Sequence, residues 1–229
     1  MHGIHIRIVR RLKTRTYEGF AVLAIALSVI AGCATDGKVR PVAQELSAGR
    51  EPSVTGLKDG REGFIITEVP EMDEASRRNF DHAIIMLKDQ DYDHAIDLLE
   101  KIIERSPGIS APYIDVAIAY QRIGKPEQAE EHLKTALKLF PEHPVACNEY
   151  GMLYRKTGRF AEARAIYEKA IARFPDYYPL YRNLGILCDL YLDDSECALK
   201  QFEIYSERRP ADAQVKIWIA ELRTRLGRQ

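Results

Sequence analysis

The sequence predicts an all-α fold, four stacked helix–turn–helix units closed by one further helix. Three observations predict it. Prolines return at Pro107, Pro141, Pro175 and Pro210, at intervals of 34, 34 and 35 residues. Alanines keep the same intervals at Ala95, Ala129, Ala163 and Ala198. Around them, apolar residues recur at spacings of three and four, which gathers them on one face of a helix. A fixed period of this length marks a repeat architecture, in which each unit hides its apolar face against its neighbour.

The first 32 residues read as an address rather than as fold. Arg7, Arg10, Arg11, Lys13 and Arg15 form a basic stretch, and Phe20 to Gly32 is an apolar run broken only by Ser28. That run is the length of a signal-peptide core and too short to span a bilayer. It ends in Ile30-Ala31-Gly32-Cys33, which resembles a bacterial lipobox. The resemblance implies that Cys33 is lipidated and becomes the first residue of the mature chain. Ala34 stands where such lipoproteins carry an aspartate for inner-membrane retention, so the outer membrane is the expected destination, with the protein facing the periplasm. A thioether-linked diacyl group plus an N-acyl chain such as palmitate is a firm anchor, because a second chain separates stable from marginal attachment.

Residues 33–70 read as a flexible tether, poor in large apolar side chains and punctuated by Gly37, Pro41, Gly49, Pro52, Gly56 and Gly60. Some 30 residues of coil reach roughly 30 Å. Phe64 to Val69 is an exception, an apolar, β-branched run that stops at Pro70. Two roles stay open for it: a cover over the first unit's apolar edge, or an edge strand offered to a partner. The whole chain has net charge −1; residues 1–32 carry +4, which leaves the mature part at −5. Nucleic acid, which requires a basic stripe, is not an expected partner.

The folded domain is placed at 71–229, with units at about 76–109, 110–143, 144–177 and 178–212 and a cap at 213–226. In the first helix of each unit a small residue recurs at Ala83, Ala117, Gly151 and Gly185, so that the second helix can approach closely. In the second helix, Leu99, Leu133, Tyr167 and Phe202 follow the period alanines by four. The prolines end these helices by removing an amide donor. Gly124 and Gly158 turn the chain between helices, where a left-handed φ is needed. The first and fourth turns lack a glycine, and the fourth, Leu192-Asp193-Asp194-Ser195, carries one extra residue. Asp212 caps the closing helix, which offers Ile217, Trp218, Ile219 and Leu222 as apolar surface.

These residues identify the region from about 76 to 226 as similar to the tetratricopeptide-repeat family. The resemblance implies a right-handed α-solenoid that binds proteins in a concave groove and performs no catalysis. It also implies which positions line the groove: Ile114, Asp115, Ile118 and Gln121 in the second unit; Asn148, Glu149, Met152 and Arg155 in the third; Arg182, Asn183 and Ile186 in the fourth; and Trp218 in the cap. Asn148 and Asn183 could hold a peptide backbone, since an amide both donates and accepts. Ile114, Ile118, Met152 and Ile186 could seat side chains, and Arg155 and Arg182 could pair with acids. Family members that clamp a terminal carboxylate use lysine and asparagine where this chain has Phe80 and Ile84, so that ligand is not expected.

No pattern for catalysis accompanies the repeats. His82, His94, His132 and His143 are scattered, and no phosphate-binding loop, nucleophile elbow or His-Glu-x-x-His occurs. No cofactor, metal or small-molecule substrate is expected. Cys188 and Cys197 fall on one helical hairpin and could form a disulfide, or remain as small buried thiols; Cys147 lies a repeat away. In plan the chain resembles lipoprotein pilotins of type IV pilus secretins and lipoprotein scaffolds that gather cell-wall hydrolases. The alternatives are an accessory subunit of a TonB/ExbB/ExbD-like energy-transducing complex and, as a different class, an envelope enzyme.

Overall fold

The computed structural model describes residues 53–56, 64–67 and 72–228. The leader, Cys33 and most of the expected tether lie outside the described residues. Nine described helices follow one another in antiparallel pairs: α1 (Glu74–Lys88) with α2 (Tyr92–Arg105), α3 (Ser110–Arg122) with α4 (Pro126–Leu139), α5 (Pro144–Lys156) with α6 (Phe160–Arg173), and α7 (Pro179–Tyr191) with α8 (Ser195–Arg208), closed by α9 (Ala213–Arg225). This is the tetratricopeptide solenoid with its capping helix.

Local chemistry sets the boundaries. Asp73 caps α1, its carboxylate accepting from the backbone amides of Ala75 at 2.8 Å and Ser76 at 2.9 Å. Asp194 caps α8 and Asp212 caps α9 in the same way, through the amides of Cys197 and Val215. His143 does this for α5 with a ring nitrogen, which accepts from the Ala146 amide at 3.3 Å. Burial pushes that imidazole down to about 3, so the ring stays neutral and keeps an acceptor for the cap. Gly124 and Gly158 turn at φ +76° and +78°, as their place in the period requires. Gln90 and Asp193 take the same left-handed conformation in the two turns without glycine. The extra residue of the fourth turn thus lies ahead of Asp193.

Close approach within each unit follows a pairing of sizes. Ala83 shares a core cluster with Leu99, and Ala117 with Leu133, at the register where the two glycines face aromatic rings. A Cβ at Gly151 would run into the Tyr167 ring; one at Gly185 would stand 2.5, 2.7 and 3.0 Å from three carbons of Phe202. All four large partners are essentially fully buried.

The core falls into two clusters. Phe80, Ala83, Leu99, Ile102, Ile109, Ala111 and Val116 form one, covered by Met72 and confined to the first unit and one face of α3. The other runs from Ile114 on the opposite face of α3 to Leu222 in the cap. Ile103 and Tyr120 pack on both.

Two short strands precede the helices. β1 (Ser53–Gly56) pairs antiparallel with β2 (Phe64–Thr67), with Val54 opposite Ile66. β1 lies in the stretch read from sequence as tether. Phe64 and Ile66, on one face of β2, are 3% exposed and belong to the second core cluster. The Phe64 ring lies 4.6 Å from Tyr177 and 4.9 Å from Tyr178, centroid to centroid. β2 therefore rests against the junction of the third and fourth units, not on the edge of the first. The physical reason is that two tyrosine faces at the start of α7 offer Phe64 an aromatic seat, while Met72 already covers the first unit.

Candidate partner groove

The first helices of successive units, α3, α5 and α7, stand side by side, so residues one period apart line up across them. One row is Ile114, Asn148 and Arg182; the next is Asp115, Glu149 and Asn183; a third, at the C-terminal ends of α3 and α5, is Gln121 and Arg155. Ile118, Met152 and Ile186 are half-buried, as is Trp218 on α9.

Several of these side chains are committed to one another. The Asn183 amide donates to the Asn148 carbonyl oxygen at 2.7 Å, and the Asn148 amide reaches Glu149 Oε1 at 3.4 Å. Asn148 is 4% exposed. The Arg182 guanidinium lies 5.3 Å from the Trp218 ring centroid, with its Nε 4.0 Å from the Asp212 carboxylate. Asp212 also accepts from the Tyr205 hydroxyl at 3.0 Å. Asn148, Asn183 and Arg182, expected from sequence to meet a ligand, instead tie α5 to α7 and the fourth unit to the cap. The helices pack closely enough that these side chains reach each other first.

Glu149 is the electrostatic feature that sequence reasoning missed. Desolvation raises its carboxyl to about 7, against weaker opposing effects of the Asn148 hydrogen bond and the Lys156 and Arg122 charges. A carboxylate at the sixth helix position was visible in the sequence, but its desolvation at a half-buried site was not.

The third row is different. Both side-chain atoms of the Gln121 amide, and Nη1 of Arg155, are buried and have no hydrogen-bond partner among the described residues. Arg155 otherwise only leans on the Tyr191 ring, at 5.8 Å. A buried polar group left unpaired costs about 1–3 kcal/mol. The groove thus carries an unfilled demand for an acceptor beside Arg155 and for a donor and an acceptor beside Gln121.

Cys188 in α7 and Cys197 in the first turn of α8 are joined as a disulfide, and Cys147 is a buried free thiol pushed up to about 12 by desolvation. Asp194 lies beside the bridge, and Cys188, Asp194 and Cys197 bring metal-type ligand atoms within 4.8 Å of one another. The bridge occupies both sulfurs, and the Asp194 oxygens serve the Cys197 amide and Arg164. No helix among the described residues is long and apolar enough to cross a membrane.

Comparison with known proteins gives the same picture. Residues 122–185 match the family described as "Tetratricopeptide repeat", and residues 7–152 match the family described as "Virulence factor membrane-bound polymerase, C-terminal". The structure is similar to that of Pseudomonas aeruginosa pilF, with TM-score 0.63 and 22% identity, covering 67% of this chain and 70% of that one. A thermophilic TPR protein of Thermus thermophilus aligns with TM-score 0.57 and 22% identity, over 65% and 81% of the two chains. At these identities the likeness establishes the fold. Among curated proteins, the probable UDP-N-acetylglucosamine–peptide N-acetylglucosaminyltransferase SPINDLY of Petunia hybrida is 30% identical over 93 residues, 41% of this chain. The Sol locus transcriptional repressor of Clostridium acetobutylicum is 33% identical over 96 residues, 42% of this chain. The chain spans 10% and 30% of the lengths of those two relatives.

Proposed function

We propose, for a chain that belongs to the tetratricopeptide-repeat proteins and, over residues 7–152, to the family described as the C-terminal part of a virulence factor membrane-bound polymerase, that it is a non-catalytic adaptor held at a bacterial outer membrane by lipid on Cys33. Its solenoid recruits periplasmic or outer-membrane protein segments into the concave groove, in the assembly of a pilus secretin or of cell-wall machinery. The observation that carries the binding role is the unpaired buried pair of Gln121 and Arg155 on two successive units. These atoms are shielded from solvent in the free solenoid, so a peptide lying across α3 and α5 meets them by a rotation of the two side chains and supplies what they lack: a main-chain amide and carbonyl for Gln121, a carbonyl or carboxylate for Arg155. Support for the anchor is the order of basic stretch, apolar run and Ile30-Ala31-Gly32-Cys33 in the sequence. The likeness to Pseudomonas aeruginosa pilF supports the repeat fold on which this reading rests.

The test is crosslinking in intact cells, with captured proteins identified by mass spectrometry, for the native chain and for a Gln121→Ala, Arg155→Glu variant. Neither side chain makes a hydrogen bond within the described solenoid, so helicity is expected to stay unchanged. Each charge-assisted bond lost to a partner weakens binding by about 1.5–3 kcal/mol, and captured partners are expected to fall away. A folded variant that captures the same partners in the same yield overturns the groove. Membrane fractionation of Cys33→Ser tests the anchor: the variant is expected in the soluble fraction.

A further inference from the structure

The N-terminal halves of the groove helices are covered. Every residue from Ser110 to Ala117 in α3, and every residue from Pro144 to Asn148 in α5, is buried, whereas the C-terminal halves of the same helices emerge toward solvent. In a solenoid the inward side of such helices is the side left open for partners. β2 sits at one end of this covered strip, with Phe64 on Tyr177 and Tyr178 at the start of α7.

The strands are not an independent structure. A lone two-stranded hairpin is marginal in water and needs an apolar face to rest on. β2 has such a face in Phe64 and Ile66, with Val54 half-buried beside Ile66 on the paired strand. The other face carries Ile65 and Thr67, neither of them buried. Alternate side chains entering the core from an extended backbone is the way a peptide ligand is held in a groove.

We infer that the segment beginning with Phe64-Ile65-Ile66 is a ligand in cis, seated through Phe64 on Tyr177 and Tyr178 beside the N-terminal ends of the groove helices, and that this seat accepts from a partner an extended segment of the same chemistry: an aromatic residue followed two positions later by a β-branched one. The inference rests on the groove reading above and names its occupant. A partner segment gains the Tyr177–Tyr178 seat only by displacing Phe64. Apparent affinity is then reduced by the fraction of time the cis segment is seated. The native chain is a weaker receptor than one whose own segment cannot dock.

The experiment measures fluorescence anisotropy of a labelled peptide of residues 62–72 added to the full chain. Two receptors are compared, native and Phe64→Ala/Ile66→Ala, with a peptide carrying the same two changes as control. The expected result is at least tenfold tighter binding of the native peptide to the double variant than to the native chain, and no binding of the altered peptide to either. Equal affinity for both receptors, or binding to neither, overturns the inference. So does a native chain that dimerises in light scattering while the double variant stays monomeric, which would make the segment an arm exchanged between copies. If the double variant loses helicity, hydrogen exchange of the Ile65 and Ile66 amides in the native chain decides: excess peptide is expected to accelerate it, and unchanged exchange overturns the inference. The two readings fail separately. Loss of capture in the Gln121/Arg155 variant together with equal peptide binding to both receptors removes the cis ligand alone. Unchanged capture in that variant removes the groove.

Discussion

The pairing of a small residue on one helix with a large one on the next can be tested by converting one unit into the type of another. At Gly185, a methyl group would stand 2.5 Å from Phe202, against an ordinary carbon–carbon contact of about 3.5–4.0 Å. The ring must retreat by about 1 Å. It has nowhere to go, because it is 1% exposed and its centroid lies 5.2 Å from that of Trp218 on the capping helix. Overpacking of this kind costs about 1–3 kcal/mol, offset by about 0.5–1 kcal/mol from replacing a helical glycine by alanine. Gly185→Ala is therefore expected to lose about 1–2 kcal/mol and to lower Tm by about 2–8 °C. Phe202→Leu alone leaves unfilled space and is expected to lose about 1–3 kcal/mol. Together the two changes recreate the Ala–Leu pairs of the first two units, and the double variant should be more stable than the sum of the single losses by about 1–2 kcal/mol. Urea and thermal unfolding of all four proteins, followed by circular dichroism, give the coupling energy. Additive losses, or a Gly185→Ala variant as stable as the native chain, would refute the steric account.

Two further outcomes follow from features of the turns and the groove. The Glu149 carboxyl is raised in the fold to about 7 from an ordinary value near 4.5, so the folded state holds its proton more tightly than the unfolded chain does. Its contribution to stability is fully present below pH 4.5 and is lost as pH rises through 7. Glu149→Gln should thus be more stable than the native chain at pH 8, with the advantage shrinking toward pH 4.5; a difference in Tm that does not vary with pH would be the wrong result. Gln90, exposed and at φ +65°, occupies the turn position that Gly124 holds in the next unit. Gln90→Gly should gain about 0.5–1 kcal/mol by chemical denaturation, because the left-handed conformation costs a side-chain-bearing residue about 1–2 kcal/mol and glycine returns part of that in unfolded-state entropy.

The period made the helices, their turns and the capping aspartate legible, because each depends on residues within a few positions of one another. The size pairing was legible in principle: the columns Ala83, Ala117, Gly151, Gly185 and Leu99, Leu133, Tyr167, Phe202 stand in the sequence, but only side-by-side placement shows that glycine appears where the partner is aromatic. β1 was not legible. Four residues with a single large apolar side chain, Val54, give no usable alternation, and its pairing depends on Phe64 finding two tyrosines more than a hundred residues away. The groove was legible as a set of positions and not as a set of interactions. That Asn148 and Asn183 would spend their amides on each other, while Gln121 and Arg155 would not, depends on distances between helices that no spacing in the sequence encodes.

The division of the core into two clusters carries a consequence for cooperativity. α3 contributes Val116 to one cluster and Ile114 to the other, so it is a party wall between a small chamber containing α1 and α2 and a large one containing everything after it. In a linear array, stability is set by each unit and its nearest neighbour. A unit whose core closes on Ala111 and Val116 of α3, and shares only Ile103 and Tyr120 with the second cluster, can open while the remainder holds. The first helical pair is then a leaf hinged on α3. Its opening bares the Val116 face of α3 rather than the Ile114 row of the groove, and leaves the cap-proximal units as the frame.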